Sequence, residues 1–172
     1  MDAVSEARLQ NLHPRLAEKI RLLDEQYSTE FPDEHLRVTF GQRSWGEQAA
    51  LWAQGRESLD EVNRLRAAVN LPPLASEAAN VQVTNAQPGH SWHQFAMAVD
   101  VVPMAPAPDW KSAHWPRIVA IGESLGLTSG IGWGDQPHFQ LTGRFGLSPD
   151  DEVRQLFTDG GVQAVWAEAQ IP

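Results

Sequence analysis

An aspartate inside a strongly β-prone run is the feature of this sequence that most constrains how the chain can fold. Residues 98–102 read AVDVV, and Pro103 ends the run. Asp100 therefore lies in the middle of a short predicted strand. Burial of its carboxylate is costly without a partner, because the charged group loses its hydration. We expect the strand to lie beside a compensating positive charge, either a metal cation or an arginine side chain.

Helical patterns alternate with short strand patterns along the chain, and this order indicates the α+β class. An amphipathic helix is predicted over residues 5–27, with Pro14 in a first turn before the main helix. Ser44 and Glu47 form a capping box that begins a second helix, which ends at Gly55. Further helices are predicted over 115–125, 149–159 and 162–169. Strand candidates are predicted at 38–40, 81–84, 98–102 and 138–141.

A single domain is predicted over residues 1–172, because this length suits one hydrophobic core and the sequence has no internal repeat. Residues 57–80 form an excursion with a capping-box helix of its own. We interpret the excursion as an inserted surface hairpin that borders a substrate groove. Residues 146–172 are predicted to be C-terminal helices.

The charge and hydropathy of the chain exclude several kinds of partner. Its 13 basic and 22 acidic residues give a net charge of −9, which argues against a nucleic-acid partner. No apolar run approaches the roughly 20 residues that cross a bilayer, so we expect no membrane insertion. The start MDAVSEARLQ lacks the pattern of a secretion signal. We therefore expect a protein that is made in the cytoplasm without a signal peptide. We also expect a monomer.

Two histidines and Asp100 are candidate metal ligands. His93 precedes Asp100 by seven residues, a spacing that suits a loop ligand followed by a strand ligand, and His138 lies on a third segment. The chain has no cysteine, so a zinc site must use histidine and carboxylate. Two histidines, one carboxylate and an open position for water are typical of catalytic Zn²⁺. Two alternatives remain open: Asp100 pairs with an arginine, or a ligand is one of the spare histidines, His90 and His114.

Two further residues are candidates for the chemistry. Asp135 precedes His138 by three residues, and a turn there puts its carboxylate beside a metal-activated water as a general base. The alternative is that Asp135 is an ordinary turn residue after Gly134. Arg43 immediately precedes the N-cap of the second helix, where its guanidinium can bind a substrate carboxylate or an oxyanion. The alternative for Arg43 is a structural salt bridge.

Four stretches of the sequence resemble one known family. The segment GQRSWGEQAALWAQGR resembles the arginine-containing strand-to-helix segment of the zinc D-Ala-D-Ala carboxypeptidase and L-alanyl-D-glutamate peptidase family. SWHQFAMAVD is similar to its Ser-x-His-x-x-Gly-x-Ala-x-Asp metal motif, and GWGDQPHFQ to its carboxylate-x-x-His motif. VTNAQPGHSWH resembles the phage endolysin branch. The resemblance spans residues 9–145, with 57–80 as an insertion.

This resemblance implies a role for each matching residue. His93, Asp100 and His138 would be the zinc ligands. Asp135 would be the general base, and Arg43 would contact the transition state or a substrate carboxylate. Ser91 would hydrogen-bond near the substrate. The implied fold is a small α+β domain with the metal above a central antiparallel sheet that helices flank.

One position departs from the family motif, and it affects the backbone between two of the implied ligands. Ala96 stands where the motif has glycine. The added methyl group matters if this position requires a positive φ angle.

Together, these expectations predict that the protein is a zinc peptidase that hydrolyses a bond in peptidoglycan stem peptides. The resemblance favours the L-alanyl-D-glutamate bond, and it implies that the protein acts on the cell wall after release from the host cytoplasm. A D-Ala-D-Ala carboxypeptidase or dipeptidase is the second hypothesis. A non-catalytic zinc-binding module is the third.

Overall fold

A four-stranded antiparallel sheet lies at the centre of the structure, a computed structural model that describes residues 1–171. Its strands are β1 (His35–Phe40), β2 (Ala98–Met104), β3 (Thr128–Gly130) and β4 (Asp135–Gln140). Their spatial order is β1-β2-β4-β3. The α+β class and the central antiparallel sheet predicted from the sequence are therefore confirmed.

Six α-helices surround the sheet within residues 1–171. They are α1 (Ala3–Leu9), α2 (Pro14–Glu30), α3 (Trp45–Ala53), α4 (Leu59–Ala68), α5 (Trp115–Ser124) and α6 (Asp151–Glu168). The predicted helix at 5–27 is two helices, with Pro14 as the first residue of the second. None of the helices in this described part of the chain is both long enough and apolar enough to cross a membrane.

The helix boundaries follow from local capping interactions that the sequence predicts. Ser44 accepts a hydrogen bond from the Glu47 amide while the Glu47 side chain accepts one from the Ser44 amide, which is the predicted capping box at the start of α3. Gly55 has a φ of 71° just beyond the end of α3, as predicted. Gly160 and Gly161 have non-helical angles and break α6 where two helices were expected.

One strand prediction was wrong, and one strand was not predicted. Residues 81–84 form no strand. Side chains bind two carbonyls in and just after this segment instead: Arg56 donates to the Thr84 carbonyl and Gln48 to the Ala86 carbonyl. Strand β3 was missed because its three residues, TSG, carry no β-prone pattern. It is defined by its pairing with β4 and not by local propensity.

The helices α2 and α5 pack against the sheet and bury its apolar residues. Members of the apolar stripe predicted on the N-terminal helices are fully buried; they are Leu9, Leu12, Leu16, Ile20 and Leu23. A second apolar cluster joins α6 to the turn before β2 through residues that include Trp92, Phe95 and Val165. The predicted excursion at 57–80 contains α4, which packs against α3.

Close packing of α5 on β4 gives a test of this arrangement. A methyl group at Gly122 would lie 2.4 Å from the ring of Phe139, which is fully buried. We expect Gly122→Ala to lower the free energy of unfolding by about 1–3 kcal/mol in urea denaturation, because the core has no room for it. Gly132→Ala is the matched control, since a methyl there meets nothing within 4 Å. Equal stabilities of the two variants would contradict this packing.

Candidate metal centre

Three separate segments bring His93, Asp100 and His138 together. His93 lies in a short 3₁₀ turn, Trp92–Phe95, just before β2. Asp100 lies on β2 directly opposite His138 on β4. One ligand atom from each residue lies within 4.8 Å of the other two, and within residues 1–171 this is the one such group of histidine and acidic side chains. The convergence predicted from the sequence is therefore present.

Hydrogen bonds on the far side of each imidazole set its tautomer. Nδ1 of His93 lies 2.8 Å from the Gly41 carbonyl oxygen, so this nitrogen carries the proton. Nε2 of His138 lies 3.0 Å from Oε1 of Gln140 and is likewise a donor. The other nitrogen of each ring faces Oδ1 of Asp100, at 3.2 Å for His93 and 3.3 Å for His138, and can bind a proton or a metal ion there.

Three electron-pair donors that face one another fit a divalent cation. Zinc bonds of about 2.0–2.1 Å place tetrahedral ligand atoms about 3.3 Å apart, which matches the separations of the two ring nitrogens from Oδ1. The donor set, two imidazoles and one carboxylate, is the set typical of catalytic zinc. Each imidazole donates a far-side hydrogen bond, His93 to the Gly41 carbonyl and His138 to Oε1 of Gln140, and bonds of this kind orient metal-bound histidines.

Electrostatic interactions in the cluster favour a positive charge between its members. Burial opposes ionisation of Asp100, but the two histidines outweigh it and hold the pKa of this carboxyl well below its usual range. Burial also opposes protonation of His138, but the hydrogen bond and charge of Asp100 raise the pKa of this imidazole. Burial dominates at His93 and lowers its pKa. The site thus holds a carboxylate and attracts a cation to Nδ1 of His138.

The turn between the first two ligands uses a left-handed residue. Ala96 has a φ of 57° and a ψ of 32°, and it ends the 3₁₀ turn that carries His93. The replacement of the motif's glycine by Ala96 therefore matters, because this position does require a positive φ angle. The methyl group is nevertheless fully buried in the main apolar cluster.

A glycine beside β4 allows the close approach that positions His138. The pairing of β3 with β4 shifts register between Ser129 and Gly130. A methyl group at Gly130 would lie 2.2 Å from the Asp135 carbonyl oxygen and 2.8 Å from Cβ of His138. Only glycine fits there, because the Asp135 backbone and Cβ of His138 leave no room for a methyl group.

Arg43 lies beside the cluster, and its guanidinium contacts three neighbouring side chains. Its guanidinium donates to Oε1 of Gln48 at 2.9 Å, lies 3.5 Å from Oδ2 of Asp100 and stacks over Phe40. Its backbone amide donates to the His93 carbonyl. Burial lowers the pKa of the Arg43 guanidinium, and the negative charge of Asp100 only partly opposes this shift. Asp100 therefore has both of the partners considered from the sequence, an arginine and a candidate metal position.

An open groove of about 960 Å³ runs over the cluster. Its walls include segment 82–87, the turn at 133–135 and residues 147–148. Ser91 lines the groove, although its hydroxyl makes no capping hydrogen bond to the following turn. Trp133 and Leu147 are exposed apolar side chains on this surface.

Asp135 lines the groove at the first residue of β4, three residues before His138. Although Asp135 is exposed to the groove, partial desolvation by the groove walls and the negative charge of Asp100 raise the pKa of its carboxyl above the ordinary value. A carboxylate with a raised pKa accepts a proton more readily, which suits a general base. Asp135 is not a member of the three-residue cluster.

The two spare histidines lie outside the cluster. His90 is exposed on the groove wall, where it lies 3.4 Å from the Arg154 guanidinium. His114 stacks on Phe31 and contacts Tyr27. Neither belongs to the three-residue group.

Sequence reasoning missed two buried glutamines beside the site. Gln140 accepts from His138, and Gln48 accepts from Arg43. Gln140 stands two residues after His138, so alternation along a strand places both side chains on one face. That spacing is the one signal available for Gln140. Gln48 follows Arg43 by five residues, a spacing that gives no comparable signal.

Comparison with known proteins identifies the family of the chain. The family model VanY, D-alanyl-D-alanine carboxypeptidase, matches residues 9–115, which is more than half of the chain. The chain belongs to this family of peptidoglycan-acting peptidases and is therefore a hydrolase. The matched span includes Arg43, His93 and Asp100, whereas His138 lies beyond it.

One solved structure is similar over most of its length. The crystal structure of the Serratia marcescens L-Ala D-Glu endopeptidase ChiX is 24% identical, with 83% of this chain and 89% of that chain covered and a TM-score of 0.49. The comparison with curated proteins gave no match.

Removal of one histidine tests the ligand set. We expect His93→Ala to lose bound zinc, because two ligands remain of the three that converge. His90→Ala is the matched control, and it should retain zinc since His90 lies outside the cluster. Elemental analysis of the purified variants measures both. Stoichiometric zinc in His93→Ala, or its loss from His90→Ala, would contradict the assignment.

Proposed function

We propose that this chain is a zinc-dependent peptidase that hydrolyses a peptide bond in peptidoglycan stem peptides. The observation that carries the proposal is the convergence of two imidazole lone pairs and one carboxylate beneath an open groove. A structural metal site is normally closed by four protein ligands, whereas three ligands beside a groove leave a position for a reacting molecule.

His93, Asp100 and His138 would hold the metal, and a bound zinc ion would supply a Lewis acid that acidifies water and polarises a carbonyl group. Asp135 takes the proton of the attacking water and then passes it to the leaving amine. Arg43 donates to the oxygen on which negative charge develops. Ser91 provides a polar group on the groove wall for the substrate.

Cleavage within the stem peptide, at the L-alanyl-D-glutamate bond, is our preferred reaction. A carboxypeptidase has to bind the terminal carboxylate of its substrate. Among the groove-lining residues that the structure describes, Arg43 is the sole arginine or lysine, and the mechanism above already assigns its guanidinium to the developing oxyanion. A groove with so little free positive charge favours an internal peptide bond.

Removal of terminal D-alanine is the second candidate reaction. Its support is the family model, which is that of a D-alanyl-D-alanine carboxypeptidase. The resemblance of residues 83–93 to phage endolysins supports a further proposal: the protein is made in the cytoplasm, and a separate route releases it to act on the wall.

Digestion of purified peptidoglycan separates the two reactions. We expect mass spectrometry of the products to show new peptides with an N-terminal D-glutamate and no release of D-alanine. A chelator should abolish the digestion, and added zinc should restore it, because the metal supplies the Lewis acid.

Each other result of the digestion has a defined meaning. Release of D-alanine alone would establish the carboxypeptidase instead. Digestion that resists complete removal of the metal would contradict a zinc mechanism. A zinc-loaded protein that cleaves neither bond would be a non-catalytic module.

Replacement of the proposed base tests Asp135. We expect Asp135→Asn to retain stoichiometric zinc and to lose turnover by about 10²- to 10⁴-fold, because an amide cannot accept the proton. Asp33→Asn, an exposed aspartate away from the groove, is the control and should digest peptidoglycan normally. Near-normal digestion by Asp135→Asn would remove Asp135 from the mechanism.

A further inference from the structure

Gln140 connects a metal ligand to the wall of the groove. Its side chain is almost completely buried, with 2% of the residue exposed. Oε1 lies 3.0 Å from Nε2 of His138, and Nε2 of Gln140 donates to the Leu147 carbonyl at 3.1 Å. One amide thus makes a hydrogen bond at each of its two ends.

These two partners define the orientation of the amide. The Leu147 carbonyl can only accept, so the NH₂ end of Gln140 must face it. The oxygen end therefore faces His138, and Nε2 of the imidazole must carry the proton. Nδ1 of His138 is left with a lone pair that faces Asp100.

We propose that Gln140 is a positioning residue that selects the Nε2–H tautomer of His138 and so presents Nδ1 to the metal. This inference rests on the zinc site of the proposed function. Without the Gln140 acceptor, the Asp100 carboxylate beside Nδ1 favours the Nδ1–H form of the imidazole. The imidazole can then take the other tautomer or rotate, and either change removes the lone pair that faces the metal.

The surroundings allow this role to be separated from a purely structural one. The Leu147 carbonyl also accepts from Nε1 of Trp92 at 3.0 Å. Loss of the Gln140 amide therefore leaves the turn at Leu147 attached to the protein. A substitution at Gln140 is expected to act chiefly on His138.

The test compares Gln140→Met, Gln140→Glu and Gln48→Met. Methionine keeps the length of the side chain and removes both hydrogen bonds, so we expect zinc affinity, measured by chelator competition, to fall by about 10- to 100-fold. Glutamate retains an acceptor for His138 and should recover most of the affinity. Gln48→Met is the matched control, because Gln48 is also buried and also bridges two groups but contacts no proposed ligand.

A second readout reports the tautomer directly. In ¹⁵N-histidine NMR spectra of the zinc-loaded wild type, His138 should show a protonated Nε2 and a metal-bound Nδ1. The spectra are recorded on the zinc-loaded protein, because the Asp100 carboxylate can accept a hydrogen bond from Nδ1 of His138 when no metal is bound. Neither measurement requires substrate or turnover.

The outcomes separate this inference from the proposed function. If the wild type binds no zinc, both are wrong. If the wild type binds zinc and Gln140→Met binds it equally well, or if wild-type His138 is protonated at Nδ1, only the role of Gln140 is overturned. If circular dichroism shows that Gln140→Met does not fold, two measurements still test the inference. They are the tautomer of His138 in the wild type and the zinc affinity of Gln140→Glu.

Discussion

The pairing of β2 with β4 is the constraint on which the candidate site depends, because it sets Asp100 directly opposite His138. Side chains alternate between the two faces of a sheet, so a slip of one residue would carry a ligand to the opposite face. Val99, Val101 and Phe139 flank the two ligands and are fully buried. A slip would therefore also expose apolar surface, and the hydrophobic core specifies the register that assembles the metal ligands.

Charge at the site is balanced by groups from different parts of the fold. Asp100 contacts both imidazoles through one oxygen and approaches Arg43 through the other. One oxygen of the Asp100 carboxylate thus faces the candidate metal position, and the other forms a buried ion pair with Arg43. Because Arg43 is held by Gln48 and by the backbone at His93, the cationic side chain sits at the edge of the ligand cluster.

Local rules predicted the parts of the structure that local interactions determine. The capping box at Ser44, the left-handed Gly55 and the break at Gly160 are each set by residues close in sequence. Spacing and residue type made His93, Asp100 and His138 candidate ligands but left other histidines open, and the family resemblance was needed to choose among them. The failures have the opposite cause: β3 depends on its partner strand, and segment 82–87 is held by side chains of α3 and its C-terminal extension. Gln48 and Gln140 matter through contacts that alternation alone does not reveal.

The left-handed alanine between two ligands affects the protein before any metal arrives. A β-carbon disfavours the left-handed region, so the turn at Ala96 costs more to form than it would with glycine. The buried packing around the methyl group has to offset this cost when the chain folds. Packing that holds the strained turn also holds the ligands on either side of it, and a larger share of the coordination energy then remains as affinity.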